Sequence, residues 1–329
     1  MRILVTGGAG FIGSHFVKRL LAAGEEVVVL DKLTYSGNPA NLDGCDVRLV
    51  EGDIADPAAV ESAAEGCKAI VNFAAETHVD RSILGAAEFI QTDVLGTYVL
   101  LQQACATGAR FVQVSTDEVY GDVEPGLSSR EDDVLLPSSP YSASKAGGDL
   151  QVLAGVRTFG ADASITRGSN TYGPNQYPEK VLPLFATNAL DGEALPLYGD
   201  GRQVRDWLHV DDHCAAVELV LREGHAGEVY NVAAGDEHEN RELTERILEY
   251  TGADRSLVRH VADRAGHDRR YSLDTTKLRS LGWRPSRAWE EGLRETVQWY
   301  RDNRGWWEPI KRSGGYREYY ERQYAQRLS

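Results

Sequence analysis

The 329-residue chain is short of cysteine, of positive charge and of long apolar runs, and each shortage removes a class of protein. Its four cysteines, Cys45, Cys67, Cys105 and Cys214, are scattered without a Cys-x-x-Cys pair. They read as reduced, mostly buried thiols of a cytoplasmic protein. Lys and Arg number 35 against 50 Asp and Glu, a formal net charge of −15. A general nucleic-acid or membrane-surface binder needs the opposite sign, so neither partner is expected. No stretch approaches the roughly 20 apolar residues of a membrane span. The opening MRILVTGGAG turns to glycines after one short strand, which predicts no signal peptide. What remains is an ordinary globular balance, 42% hydrophobic and 26% charged, long enough for one large domain or two moderate ones.

Short β-rich runs alternate with helical stretches over some 170 residues. RILVTG precedes a helix from about Phe11 to Ala23, then come EVVVLD, DVRLVEGD, a helix near 57–65 and AIVNFAA. A long helix near 84–107, RFVQVS, a helix near 139–159 and DASITR follow. These strands are continuous apolar runs rather than alternating ones, the pattern of a parallel sheet covered on both faces. The rhythm predicts an α/β fold, a doubly wound parallel (Rossmann) sheet. After Asn170 it breaks into loops rich in Pro, Gly and Tyr, interrupted by one helix–strand pair, DDHCAAVELVLREG and EVYNVAA. That pair is expected to return to the first domain, made of 1–170 plus about 204–233. A smaller mixed α/β substrate domain is then expected from about 171–203 plus 234–329, its charged, aromatic tail a surface helix or a frayed end.

VTGGAGFIGSH places Gly7, Gly10 and Gly13 between the first strand and the first helix. Glycines let the backbone turn tightly and approach a pyrophosphate, whose charge then sits at the helix N-terminus. Asp31 ends the second strand, where an acid accepts hydrogen bonds from an adenosine ribose and repels a 2′-phosphate, which favours NAD over NADP. Asp53 and Ile54, ending the next strand, fit adenine contacts. SPYSASKAGGDL puts Tyr141 and Lys145 one turn apart on a helix face. A tyrosine becomes a base at neutral pH if the lysine and a cationic nicotinamide ring stabilise its phenolate. A depression of about 3 pKa units requires about 4 kcal/mol. VSTDEVYG is the odd feature, two adjacent acids, Asp117 and Glu118, at the end of an apolar run. On a straight strand their side chains would point to opposite faces, so a shared role demands that the backbone turn between Thr116 and Glu118.

The glycine loop, AAETHVDRS, STDEVYG and YSASK together resemble the extended short-chain dehydrogenase/reductases, and within them the dTDP-glucose 4,6-dehydratases. The similarity runs nearly the whole chain, through DKLTYSGN, YGPNQYPEKVLPLF, PLYGDGRQVRDWLHVDDH, DRAGHDRRYSLD and the Trp306-Trp307 pair. The glycine loop and Tyr/Lys pair mark only the superfamily; Thr116-Asp117-Glu118 is far more selective. The resemblance implies a redox-neutral dehydration of a nucleotide sugar. Tyr141, aided by Lys145, would take the C4 hydroxyl proton while NAD takes the C4 hydride. Glu118 would remove the C5 proton, Asp117 would protonate the departing C6 hydroxyl, and hydride would return to C6. Glu118 must then be ionised and Asp117 protonated, and mutual repulsion of neighbouring carboxylates favours that split. Thr116 would hydrogen-bond the C4 oxygen.

The same resemblance implies further cofactor contacts at Phe11, Ile12, Lys32, Leu33 and Thr34, and at Phe73, Ala74, Ala75, Thr92 and Asn170. A diphosphate needs cations, and arginine matches phosphate with a planar fork; Arg205 and Arg264 would face it. Lys180, Tyr198, Asn240, His267 and Tyr271 would line the nucleotide or sugar pocket, with Glu179, Pro196 and Thr171 beside them and Glu76 and Thr77 near the glucose. Thr171 stands where the family usually carries a second asparagine, and Asn175 where it carries an aromatic or histidine before Gln176. His209 and His213 have metal-ligand spacing, but the segment reads better as a helix cap, and no metal is expected. Other readings on this scaffold are an epimerase, a decarboxylase, or a dehydratase of a UDP-, CDP- or GDP-sugar. A non-catalytic dinucleotide-sensing protein is a reading of another class. The family implies a homodimer joined by the helices near 84–107 and 139–159.

Overall fold

The computed structural model describes residues 1–328. β1 (Arg2–Thr6) leads through the glycine loop into α1 (Phe11–Ala22), followed by β2 (Glu26–Asp31) and β3 (Arg48–Glu51). α2 (Pro57–Ala64) starts where the Asp56 side chain accepts from the Ala58 N–H and Pro57 takes the first helical position. β4 (Ala69–Asn72) leads to α3 (Val79–Leu84), α4 (Ala87–Phe89) and α5 (Thr97–Thr107), with a π-helical stretch, Ile90–Gly96, joining the last two. β5 (Arg110–Thr116), α6 (Pro140–Phe159) and β6 (Ala163–Gly168) complete the regular run. Ser139 and Ser142 form a reciprocal cap that starts α6.

Beyond it lie β7 (Asn170–Tyr172), α7 (Val181–Asp191), β8 (Leu195–Tyr198) and β9 (Val204–His209). α8 (Val210–Glu223), β10 (Val229–Val232), β11 (Glu237–Glu239), α9 (Asn240–Thr251) and β12 (Val258–Val261) follow. The chain ends in α10 (Thr276–Ser280), α11 (Trp289–Asp302), α12 (Arg304–Arg312) and α13 (Gly314–Leu328).

Seven strands form the main sheet in the order β3-β2-β1-β4-β5-β6-β10, every neighbouring pair parallel. Alternate residues of the apolar strands serve opposite faces. Ile3, Val5 and Val71 pack with Phe16 of α1 and Val217 of α8, while Leu4, Val28 and Ile70 pack with Val60, Leu100 and Val152 of α2, α5 and α6. The sheet is thus doubly wound as expected, and strand order reverses between β1 and β4, the place where such sheets open a crevice at their C-terminal ends. The smaller mixed part holds a three-stranded sheet, β11-β9-β7, and a parallel pair, β12-β8. α7, α9 and α11 bury Phe185, Leu243 and Leu293 beside them.

Three stretches differ from expectation. The helix near 84–107 is broken, because Gly85 is extended, and then runs as a π segment before α5. Gly96 closes that segment where an added Cβ would stand 2.5 Å from the Ile54 side chain. Val204–His209, inside the stretch expected to rejoin the first domain, pairs with β7 and β11, and only α8 and β10 return to the main sheet. The tail is neither superficial nor frayed; α13 buries Tyr316, Tyr319 and Tyr324 against the rest of the chain.

Candidate active site

A deep cleft opens at the carboxyl ends of β1 and β4. Gly7, Gly10, Phe11, Ile12 and Gly13 form its floor. Gly7 has φ +65°, and an added Cβ would lie 2.6 Å from the Ala74 nitrogen; on Gly13 it would lie 2.2 Å from the Gly7 carbonyl oxygen. The loop therefore packs directly under α1. Gly10 caps that helix with no side-chain hydrogen bond, and its first turn holds no acid. Its leading N–H groups remain available to an anion, the donor set a pyrophosphate needs.

The cofactor contacts expected from the sequence converge on this cleft. Asp31, Lys32, Thr34, Asp53 and Ile54 line one end, and Phe73, Ala74, Ala75, Thr92 and Asn170 line its length. Leu33 is the exception and does not line it; its φ of +52° instead lets its N–H donate to Asp31 Oδ1 at 2.8 Å. Asp31 Oδ2 accepts from the Ala9 N–H at 2.9 Å. The carboxylate is thereby held in one orientation, each oxygen keeping a second lone pair for a diol. Burial pushes its pKa up, against these two backbone donors. Lys32 is paired with Asp53 at 2.9 Å. A dinucleotide without a 2′-phosphate fits this arrangement, with anion donors at the loop and a fixed acid at the end of β2.

Thr116, Asp117, Glu118, Tyr141 and Lys145 share one wall of the same cleft. The required turn exists. β5 stops at Thr116, and residues Asp117–Tyr120 form one 3-10 turn capped by the Thr116 hydroxyl, which accepts from the Glu118 N–H at 3.2 Å. Two adjacent acids thus face one space, which a strand could not achieve. Asp117 is 3% exposed, its Oδ1 accepts from the Thr116 hydroxyl at 3.1 Å, and its Oδ2 is buried without a partner. Burial, and next the Glu118 charge, raise its pKa to about 8. A group held protonated at neutral pH thus stands beside a second acid that lines the same cleft.

Tyr141 is expected to become a base only with help from both Lys145 and a cationic nicotinamide ring. Burial, and next the charges of Glu118 and Asp93, push its phenol well above the usual range, a hydrogen bond with Thr116 acting the other way. Lys145 does not offset them; its ammonium donates to the Val114 carbonyl at 2.9 Å. A cationic nicotinamide ring is the other source of depression that a base at this position calls on.

On the substrate side, Glu76, Thr77, Thr171, Glu179 and Lys180 line the cleft, whereas Pro196, Tyr198, Arg205, Asn240, Arg264, His267 and Tyr271 do not. Several of the latter stand just behind it. Arg205 acts on Asp117, and Glu118 acts on Lys180, Arg264 and Tyr271. Arg205 lies over the Tyr271 ring, and Arg264 pairs with Asp80 while its Nε is buried and unpartnered. His267 is tied to Asp263, Tyr198 to Asp80, and Asn240 starts α9. Both Glu179 oxygens are occupied, Oε1 by the Tyr35 hydroxyl and Oε2 by Arg81, each at 2.8 Å. Thr171 accepts from or donates to His213 Nδ1 at 2.7 Å and also contacts the Ser169 carbonyl.

His209 caps α8 by accepting from the Asp211 N–H, and His213 lines the cleft as a buried neutral ring. Among the described residues no group of three His, Cys, Asp or Glu is arranged to hold a metal ion. Sequence reasoning missed Ser115, whose buried hydroxyl lines the cleft unpartnered, and Asp93, whose carboxylate accepts from Ser144 at 2.6 Å beside Lys145. The period-2 rule could have flagged neither from one chain, because Ser115 sits within an apolar run and Asp93 on the π stretch.

Over residues 4–296 the chain matches the family described as GDP-mannose 4,6 dehydratase. It is 56% identical over 323 residues to the dTDP-glucose 4,6-dehydratase of Streptomyces niveus, covering 94% of this chain and 96% of that protein. A dTDP-glucose 4,6-dehydratase of Streptomyces venezuelae, solved with NAD bound, superposes with a TM-score of 0.92 at 57% identity, over 94% of this chain and all of that one. The UDP-glucose 4-epimerase of Thermus thermophilus in complex with NAD superposes at 0.88 and 35% identity, over 92% of this chain and all of that one.

Proposed function

The chain belongs to the GDP-mannose 4,6-dehydratase family, and from that premise we propose that it is a hydro-lyase converting dTDP-glucose to dTDP-4-keto-6-deoxyglucose. One observation carries this reading over an epimerase on the same fold. The 3-10 turn after β5 brings Asp117 and Glu118 into the cleft that also holds Tyr141 and Lys145. Oxidation at C4 needs only the tyrosine and lysine; loss of water across C5 and C6 needs an additional acid and base.

NAD is the cofactor; when bound it supplies the hydride acceptor for C4 and the hydride donor for C6, so the reaction is redox-neutral. The Phe11, Ile12 and Gly13 N–H groups would hold its diphosphate and Asp31 its ribose. Tyr141 takes the C4 hydroxyl proton, with the Thr116 hydroxyl beside the C4 oxygen. The ketone so formed acidifies C5, and Glu118 removes that proton. Asp117, kept protonated by burial, gives its proton to the C6 hydroxyl, which leaves as water, and Glu118 then returns its proton to C5 as C6 takes back the hydride. Arg205, Arg264 and Lys180 form the cationic side that answers the substrate diphosphate. The buried, unpartnered Arg264 Nε supports that assignment.

The cofactor lobe comprises residues 1–170 with the returning α8 and β10, and the rest binds the sugar nucleotide. The protein works as a homodimer in the cytoplasm. Self-association is supported by exposed apolar side chains on two adjacent elements, Ile90, Leu95 and Tyr98 before and on α5 and Leu150 and Phe159 on α6. The compartment is supported by four free thiols, and no described helix is long and apolar enough to cross a membrane.

Purified protein incubated with dTDP-glucose is expected to form the 4-keto-6-deoxy sugar without net accumulation of NADH. Net NADH, or a C4 epimer as product, overturns the assignment.

A further inference from the structure

A turn carrying both an acid and a base has to be held at its far end as well as its near one. Thr116 caps the near end. At the far end is Tyr120, buried and outside the cleft lining. Its hydroxyl donates to Asn231 Oδ1 at 2.8 Å and accepts from Arg167 Nη1 at 2.7 Å. Arg167, 2% exposed, in turn donates through Nε to Asp149 Oδ2 at 2.8 Å, and Asp149 is wholly buried. A charged pair placed this deep carries a large desolvation cost, which apolar packing would avoid. Asp149 belongs to α6, four residues beyond Lys145 and eight beyond Tyr141, on the same side of the helix.

We propose that Asp149, Arg167 and Tyr120 form a strut that fixes the spacing between two halves of the catalytic machinery. One half is Tyr141 with Lys145, acting at C4; the other is Asp117 with Glu118, acting at C5 and C6. Tyr120 is then a positioning residue for elimination. Asn231 adds a second anchor, because its Nδ2 donates to the carbonyls of Ser129 and Asp274. The inference rests on the roles given above to Asp117 and Glu118. Its consequence is selective, since a misplaced turn leaves the C4 chemistry intact while a shift of about 1 Å in an acid or base can cost roughly a hundredfold.

Tyr120→Phe removes one oxygen and tests the strut directly. In the NAD-loaded enzyme, reduction of the cofactor by dTDP-glucose should keep the wild-type rate, while product formation slows by roughly tenfold or more. Reduced cofactor should then build up during turnover, with KM for dTDP-glucose unchanged. Equal loss in both steps, or no loss in either, overturns the proposal, since a purely structural tyrosine does not separate them. Glu118→Gln, run in parallel, keeps the two ideas apart. If Glu118→Gln eliminates water at the normal rate, the reading of the turn itself is wrong. If Glu118→Gln blocks elimination while Tyr120→Phe matches wild type, only the strut fails. Should Tyr120→Phe not fold, Arg167→Lys, which keeps a positive charge against Asp149 but withdraws the Nη1 donor from the Tyr120 hydroxyl, is read by the same separation of rates.

Discussion

A carboxyl that must donate a proton near neutral pH has to be kept from ionising, and Asp117 is held so by two causes, burial first and the Glu118 charge second. With its pKa raised to about 8, the acid is in place below that value and is lost above it. Product formation is therefore expected to fall as pH rises through about 8, while cofactor reduction at C4 does not follow that limb. Asp117→Asn should remove the limb together with the elimination activity, as pH profiles of the two steps will show. The same shift governs stability. The folded state holds the proton from the unfolded value near 4 up to about 8, so stability declines with rising pH across that window. Asp117→Asn should gain in melting temperature over wild type as pH is raised from 4 to 8 and no further; a constant difference would contradict the assigned protonation. Tyr141 has the opposite requirement, and the chain by itself works against it, through burial first and then the charges of Glu118 and Asp93. A cationic nicotinamide ring beside the phenol acts in the opposite direction.

At the scale of elements, the phosphate loop and α1 act as one unit because backbone meets backbone. A methyl group on Gly13 has nowhere to go, its carbon falling 2.2 Å from the Gly7 carbonyl oxygen. Gly13→Ala must push the helix off the turn and swing its N–H groups away from the diphosphate, at about 1–3 kcal/mol of strain. NAD affinity should weaken by roughly tenfold or more, measured as cofactor retained through purification and by titration of the stripped protein. Retention equal to wild type would mean the loop does not carry the diphosphate. The tail is the other telling element. α13 reaches the cleft walls through Tyr316, which donates to the Pro178 carbonyl, and Tyr319, which stacks on Arg81 and bonds His78. Arg81 in turn holds Glu179. The aromatic tail reads as surface in one dimension and is wall support in three.

For the whole molecule, the prediction concerns association. The face formed by the π stretch, α5 and α6 exposes the apolar side chains Ile90 at 57%, Leu150 at 57% and Phe159 at 62%, the kind of surface that association covers. Light scattering should give twice the mass of one chain. Ile90→Glu with Leu150→Glu should halve it without loss of bound NAD. A wild-type mass equal to one chain would end the homodimer assignment.

The sequence by itself determined the parallel sheet, the glycine loop, Asp31 at the end of β2 and the Tyr141–Lys145 helix face. Each is written in local spacing, either an apolar run followed by glycines or a repeat of four. The acid pair was legible as an anomaly, and even its need for a turn followed from strand geometry. Tertiary structure alone decided the rest. The broken helix near 84–107 depends on Gly96 meeting Ile54, the burial of α13 depends on partners more than a hundred residues away, and the neutral state of Asp117 depends on being dry. The Asp149–Arg167–Tyr120 chain joins residues from three elements that no spacing rule connects. Packing and desolvation arise between segments distant in the chain, so a pattern read along one strand of text carries the chemistry available but not the charge state or the distances at which it operates.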